Sequence, residues 1–253
     1  MTAVTVATAF LADDSPPADV VAMLAVGMLG YQFAIGTAND AVDALDDARN
    51  KPWKAIPRGL VSRRAASLLA AGFAGVGMVA TAGLPFGAWL VGIAGLACGL
   101  VYDVQLKRTW LSWAPMALAL PLVPVWVFLA LEVWDPLLWW VFPLGALLGL
   151  GLHLANQAPD VPKESEMRGL AHRLGTEKAA NLALVLVALA GVVACAVLIV
   201  DGAGTQAILA AGTVLLAGTM AGRSVRLFGP DGLFGLLAST SAALAVTFLS
   251  AVG

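Results

Sequence analysis

Three features of the sequence predict an all-α, polytopic membrane bundle of eight or nine transmembrane helices. Hydrophobic residues make up 60% of the 253 positions and charged residues only 12%, against roughly 45–50% and 25% in soluble globular chains. Mean hydropathy is +0.89, more apolar surface than a water-soluble fold of this size can hide. The apolar residues fall into long blocks separated by short polar loops, and the basic residues keep to alternate loops.

A helix crossing the bilayer needs about 20 apolar residues. The opening Thr2–Ala12 is too short and is predicted as a partial first helix; it lacks the basic segment and small-residue cleavage site of a signal peptide. Full spans are predicted at Val20–Ala38, Ala65–Gly83, Phe86–Val101, Trp113–Leu131, Leu137–Ala155, Ala179–Val200 and Leu233–Gly253. An eighth, Ala203–Gly222, is richer in Gly, Ala and Thr but meets no charge before Arg223. Small residues such as Gly92, Gly95 and Gly99, or Gly145, Gly149 and Gly151, suit close helix packing in lipid. Together these make one transmembrane domain over residues 1–253.

All 14 Lys and Arg residues lie in four loops, after the Val20, Phe86, Leu137 and Ala203 spans. The intervening loops carry only acids: Asp13, Asp14, Asp19, Glu132, Asp135 and Asp201. Basic loops stay in the cytoplasm. The expected location is therefore the cell (inner) membrane, with the four basic loops inside and the C-terminus outside. Trp89, Trp134, Trp139 and Trp140 are expected at the outer interface. A formal net charge of −2 and the absence of a basic arm argue against nucleic acid. Cys98 and Cys195 sit far apart in apolar stretches and read as core residues. No GxxxxGK, HExxH or CxxC pattern occurs, which argues against a nucleoside triphosphatase or a zinc hydrolase. His153 is expected to pack between helices and His172 to lie on a surface loop.

Two polar segments emerge on the predicted cytoplasmic side. In NDAVDALDDARNKPWKAIPRGLVS, Asp40, Asp43 and Asp47 are spaced i, i+3, i+7. At about 100° per residue they share one narrow face of a helix, with Asn39 four residues before Asp43. Stacked like charges repel unless cations bridge them, and hard carboxylate and amide oxygens suit Mg²⁺, which shares its shell with water and phosphate. In NQAPDVPKESEMRGLAHRLG, Asn156, Asp160 and Glu164 are spaced i, i+4, i+8, and Pro159 and Pro162 predict a bent or broken helix end. Lys51, Lys54 and Arg58 flank the first cluster and Lys163 and Arg168 the second. Between them lies VYDVQLKR, with Tyr102, Asp103 and Lys107. Acids and bases mixed in this way point to a multiply charged anion held through metal, its remaining oxygens on lysine and arginine.

These motifs resemble those of the UbiA superfamily of intramembrane prenyltransferases. Asn39, Asp40, Asp43 and Asp47 match the first family motif, NDxxDxxxD, in full. NKPWKAIPRGLVS is similar to the family stretch NxPxRPIPSGxIS, with Lys54 at the Arg position, and VYDVQLKR resembles its Tyr–Lys motif through Tyr102 and Lys107. The second motif, usually DxxxDxxxD with Asn first in some branches, corresponds to Asn156, Asp160 and Glu164, with Glu in place of the last Asp, followed by Gly169 and RLG at Arg173–Gly175. The resemblance implies a bundle of eight or nine spans, Mg²⁺ as cofactor, and an isoprenyl diphosphate ionised and passed to an aromatic or lipid acceptor. It also implies site residues. Asp40, Asp43, Asp160 and Lys107 are catalytic. Asn39, Lys54, Arg58, Tyr102, Lys107, Asn156 and Lys163 bind substrate. Asp40, Asp43, Asp47, Asp160 and Glu164 hold metal. A terpene cyclase of the same superfamily, with the tail's own double bond trapping the cation, shares the ionisation machinery. A non-enzymatic transporter using the acids for ions is the third class, and the matched motifs argue against it.

Overall fold

The computed structural model describes residues 1–161, 169–228 and 230–252, with the backbone alone over 222–228, 230 and 231. Lys163, Glu164 and Arg168 lie outside the described residues. Among the described residues the chain is helical, with no strand. The helices are α1 (Thr2–Ala12), α2 (Ala18–Val42), α3 (Ala44–Asn50), α4 (Arg63–Ala80), α5 (Phe86–Val101), α6 (Ala114–Ala130), α7 (Val141–Gln157), α8 (Leu170–Leu174), α9 (Thr176–Val200), α10 (Gly204–Phe228) and α11 (Pro230–Leu249). Each predicted span corresponds to one helix, shifted by a few residues at its ends. Among the described residues six helical stretches are long and apolar enough to cross a membrane, and α1 and α6 are shorter apolar helices. Large apolar side chains left exposed on the helices, such as Val79 on α4, Val200 on α9 and Ile208 and Leu215 on α10, have the character of a lipid-facing surface.

The chain forms two compact units. The first comprises Met1–Lys107 and Leu122–Val133. Here α2 packs against α1, α4 and α5 around Leu24, Met28, Tyr31, Leu84, Leu96 and Trp126. The α2–α4 contact is backbone to backbone: a Cβ on Gly30 would stand 2.8 Å from Gly77 Cα, so only glycine permits this approach. The Tyr31 hydroxyl bonds Thr81 Oγ1 at 3.1 Å within that core, which satisfies a polar group far from water.

The second unit comprises Arg108–Pro121 and Trp134–Gly253. In it α7 packs on α9 and α11, and α10 packs on α9 and α11. Leu154, Ala158, Ala171, Ala183, Val187 and Leu237 form part of its core. α7 is entered through a 3₁₀ turn at Pro136–Trp140, which Asp135 caps by accepting the Leu137 N–H at 2.7 Å. It is left through a second 3₁₀ turn at Ala158–Asp160, containing Pro159.

Candidate active site

The first acidic motif is built where α2 ends. Asp43 leaves the helix with φ −81° and ψ 0° and separates α2 from α3. The spacing argument assumed one unbroken helix, and the structure corrects that. The i→i−4 bonds nevertheless continue across the break, from Asp43 N–H to Asn39 O at 2.9 Å and from Asp47 N–H to Asp43 O at 2.8 Å. Angular order is therefore largely kept, and Asp40 and Asp47 still meet a single cation.

That cation is Lys54. Pro52 and Pro57 prevent a helix after α3, and the chain closes in turns, with Arg58 N–H on Lys54 O at 3.1 Å and Leu60 N–H on Ala55 O at 3.0 Å. Gly59, at φ +73°, supplies the left-handed residue this reversal requires. The turns carry Lys54 back over the α2–α3 junction, where its ammonium donates to Asp40 at 2.8 Å and to Asp47 at 2.7 Å. Burial pulls the Lys54 ammonium downward, but the hydrogen bonds and charges of Asp40 and Asp47 together outweigh it and leave its pKa above the ordinary 10.5.

The second cation is Lys107. α5 continues beyond Val101 as a π-helical turn, Tyr102–Leu106, closed by the Lys107 N–H on Tyr102 O at 2.8 Å. Such wide turns are rare and concentrate at functional sites. Lys107 donates to Asp43 Oδ2. Four residues earlier, Asp103 accepts from Asn39 Nδ2 at 2.7 Å. Both pairs are 64 residues apart in sequence, so α2 and the end of α5 run parallel here, each presenting an i, i+4 pair to the other. Tyr102 is half-buried at the start of the wide turn, and Arg58 is exposed. The structure thus places these residues in three sets of contacts: Asn39 with Asp103, Lys54 with Asp40 and Asp47, and Lys107 with Asp43.

The second motif lies in the other unit. Asn156 is exposed near the end of α7, and Asp160 is half-buried in the 3₁₀ turn that follows. The predicted i, i+4 face is interrupted there by Pro159, and Glu164 and Lys163 fall outside the described residues. The buried polar groups of this unit are ones the motif reading passed over. Ser112 Oγ and His153 Nε2 are 3.0 Å apart. Gln157 is buried, and a Cβ on Gly169 would stand 3.1 Å from its Oε1. His172 is not a surface loop residue: it sits in α8 with both ring nitrogens buried and without hydrogen-bond partners among the described residues.

The model of the UbiA prenyltransferase family matches residues 1–249. The chain belongs to the UbiA prenyltransferase family. Solved structures agree on the fold. A UbiA homologue from Aeropyrum pernix K1 superposes with a TM-score of 0.75 at 21% identity, covering 97% of this chain and 94% of that one. A UbiA homologue from Archaeoglobus fulgidus bound to GPP and Mg²⁺ gives 0.75 at 16% identity, covering 98% and 96%. A structure concerned with digeranylgeranylglyceryl phosphate synthase in membranes gives 0.74 at 14% identity, covering 99% and 91%. No curated protein matches the sequence. The chain is accordingly a multi-pass membrane protein with the fold of this enzyme family.

The donor set of the UbiA first motif fits a hard divalent cation. Its ligating atoms are carboxylate and amide oxygens, and beside it Asp103 Oδ2 is a buried carboxylate oxygen with no hydrogen-bond partner among the described residues. Among the described residues no three His, Cys, Asp or Glu side chains converge on one point. An ion here would take few protein oxygens and fill its shell from water and phosphate, which is the habit of Mg²⁺.

Proposed function

We propose that this protein is a Mg²⁺-dependent intramembrane prenyltransferase that ionises an isoprenyl diphosphate and transfers the prenyl group to an aromatic or lipid acceptor. The reading is supported by one observation, the pairing of every first-motif acid with a lysine, Asp40 and Asp47 with Lys54 and Asp43 with Lys107, in a chain of this family. Asp40 and Asp43, with Asp47 beside them, hold metal at the first motif; Asp160, with Glu164 beside it, does so at the second. Mg²⁺, when bound there, acts as a Lewis acid on the leaving diphosphate.

The protein's own groups do the rest. Lys107, Lys54 and Arg58 take the outer diphosphate oxygens, so cations already in place meet the negative charge that grows as the allylic C–O bond breaks. Asn39 and Tyr102 bind the diphosphate end of the substrate at the first motif, and Asn156 and Lys163 are the substrate-binding residues of the second. Both electrons of the broken bond leave with the diphosphate. The acceptor's nucleophilic atom supplies the new pair to the allylic carbon and releases a proton. The apolar interior holds the isoprenoid tail and excludes water that would quench the cation. The confinement of Lys and Arg to four alternate loops supports a site on the cytoplasmic side of the cell membrane.

The test is incubation of detergent-purified protein with isoprenyl diphosphates of several lengths and Mg²⁺, with and without candidate acceptors. Release of diphosphate that requires an acceptor and Mg²⁺, and is lost in Asp43→Ala and in Asp160→Ala, is the expected result. A cyclic hydrocarbon or alcohol formed without acceptor replaces the transferase with a terpene cyclase. Turnover that survives EDTA or either substitution refutes the metal assignment.

A further inference from the structure

The Asn39–Asp103 pair has a consequence for the metal motif. A carboxylate only accepts hydrogen bonds, whereas a primary amide offers a donor at one end and an acceptor at the other. Contact between Asp103 Oδ1 and the Asn39 side chain, at 2.7 Å, therefore admits one orientation of the amide. Its nitrogen lies toward Asp103, and its oxygen is the atom left over. A serine or an asparagine at position 103 would both donate and accept and would make no such choice. Asp103 is 5% exposed, its Oδ2 has no hydrogen-bond partner among the described residues, and it lies within electrostatic reach of Lys107 and Asp43. Among the described residues its one side-chain hydrogen bond is the one from Asn39.

We infer that Asp103 is a positioning residue that fixes the Asn39 amide so that its carbonyl oxygen, not its NH₂, is presented to a divalent cation. The inference rests on the metal-dependent reading above. A hard cation binds the oxygen end of an amide and is repelled by the NH₂ end, so a rotated Asn39 is worse than a missing ligand. Partners that orient metal ligands are commonly worth 10–100-fold in metal affinity.

The test is Mn²⁺ binding, read by electron paramagnetic resonance on the full-length detergent-purified protein without substrate. Gel filtration checks each variant for a monodisperse chain. D103N leaves the side-chain shape but lets the amide rotate, and it should weaken Mn²⁺ binding by about tenfold or more. Losing a negative charge also weakens binding, so the decisive measurement repeats D103N in the N39D background. There position 39 offers oxygen in either orientation, and the amide at 103 donates to it. Orientation no longer matters, and N39D/D103N should bind Mn²⁺ at least as tightly as N39D. Binding by D103N equal to wild type, or an equal loss in both backgrounds, overturns the inference. D43A separates it from its foundation. Loss of Mn²⁺ by D43A without loss by D103N overturns the positioning role alone, whereas wild-type binding by D43A overturns the metal reading itself and the inference with it.

Discussion

Removal of the Lys54 ammonium should strand a charge, and the cost follows from burial. The Asp47 side chain is 6% exposed and Lys54 28%, whereas Asp40 is 50% exposed. In Lys54→Met the Asp47 carboxylate loses its donor in a site water reaches poorly, which costs about 1.5–3 kcal/mol. The Asp40 contact is half in solvent and adds less than about 1 kcal/mol. The total is about 1.5–4 kcal/mol, which for a chain of this length is a fall of about 3–15 °C in the unfolding midpoint. The measurement is thermal unfolding in detergent with EDTA at pH 7, followed by tryptophan fluorescence. Lys54→Met/Asp47→Asn removes the stranded charge as well and should recover at least half of the loss. The pH dependence has a definite sign. Lys54 is held above 10.5 in the folded chain, so its stabilisation is complete below that pH and fades as pH climbs through the folded value. Wild type should lose stability in that alkaline range relative to Lys54→Met. A single variant that melts with wild type, or a double variant no more stable than the single, refutes the reasoning.

Two further outcomes are expected. In a Cys98→Ala/Cys195→Ala background, a membrane-impermeant thiol reagent applied to intact cells should label Asp201→Cys and spare Ser62→Cys, because Ser62 lies in a basic loop and Asp201 in an acidic one; the opposite pattern inverts the orientation. Lys107→Ala should weaken isoprenyl diphosphate binding by about ten- to a hundredfold, as a charge-assisted contact to phosphate predicts, while Arg226→Ala leaves it unchanged; equal losses in the two remove the assignment of the anion to Lys107.

The spans were legible because lipid imposes a single rule, about 20 apolar residues with every backbone group bonded internally. Their ends were less so. The hydropathy of Phe86–Val101 gives no sign that the chain runs on through a π-helical turn to Leu106, because a wide turn has no residue signature and is stabilised by what its side chains meet. The helix after Leu137 ends as its prolines predict, at Gln157 with Pro159 in a 3₁₀ turn. The i, i+4, i+8 face drawn through Asn156, Asp160 and Glu164 required the helix that Pro159 interrupts. His172 was misplaced because a histidine among charged residues reads as solvated, whereas α8 tucks its ring nitrogens out of solvent.

The acidic motif was legible as chemistry and illegible as pairing. Composition alone marks Asp40, Asp43 and Asp47 as oxygen donors and Lys54 and Lys107 as cations. Which cation meets which acid depends on turns and helix offsets that local sequence does not encode. One long-range signal was nevertheless present. Asn39 and Asp43 are four apart, Asp103 and Lys107 are four apart, and the two pairs share an offset of 64 residues. Two helices separated by one return span run parallel, and parallel helices in register keep a constant offset between facing residues. Lys107 opposite Asp43 therefore requires the residue at 103 to stand opposite Asn39. Asp103 is in this sense the fourth corner of a rectangle whose other three corners the motifs already name. An acid at that corner does what no neutral residue does: it fixes the amide by accepting only, and adds a negative charge beside Lys107 without consuming the Lys107–Asp43 contact.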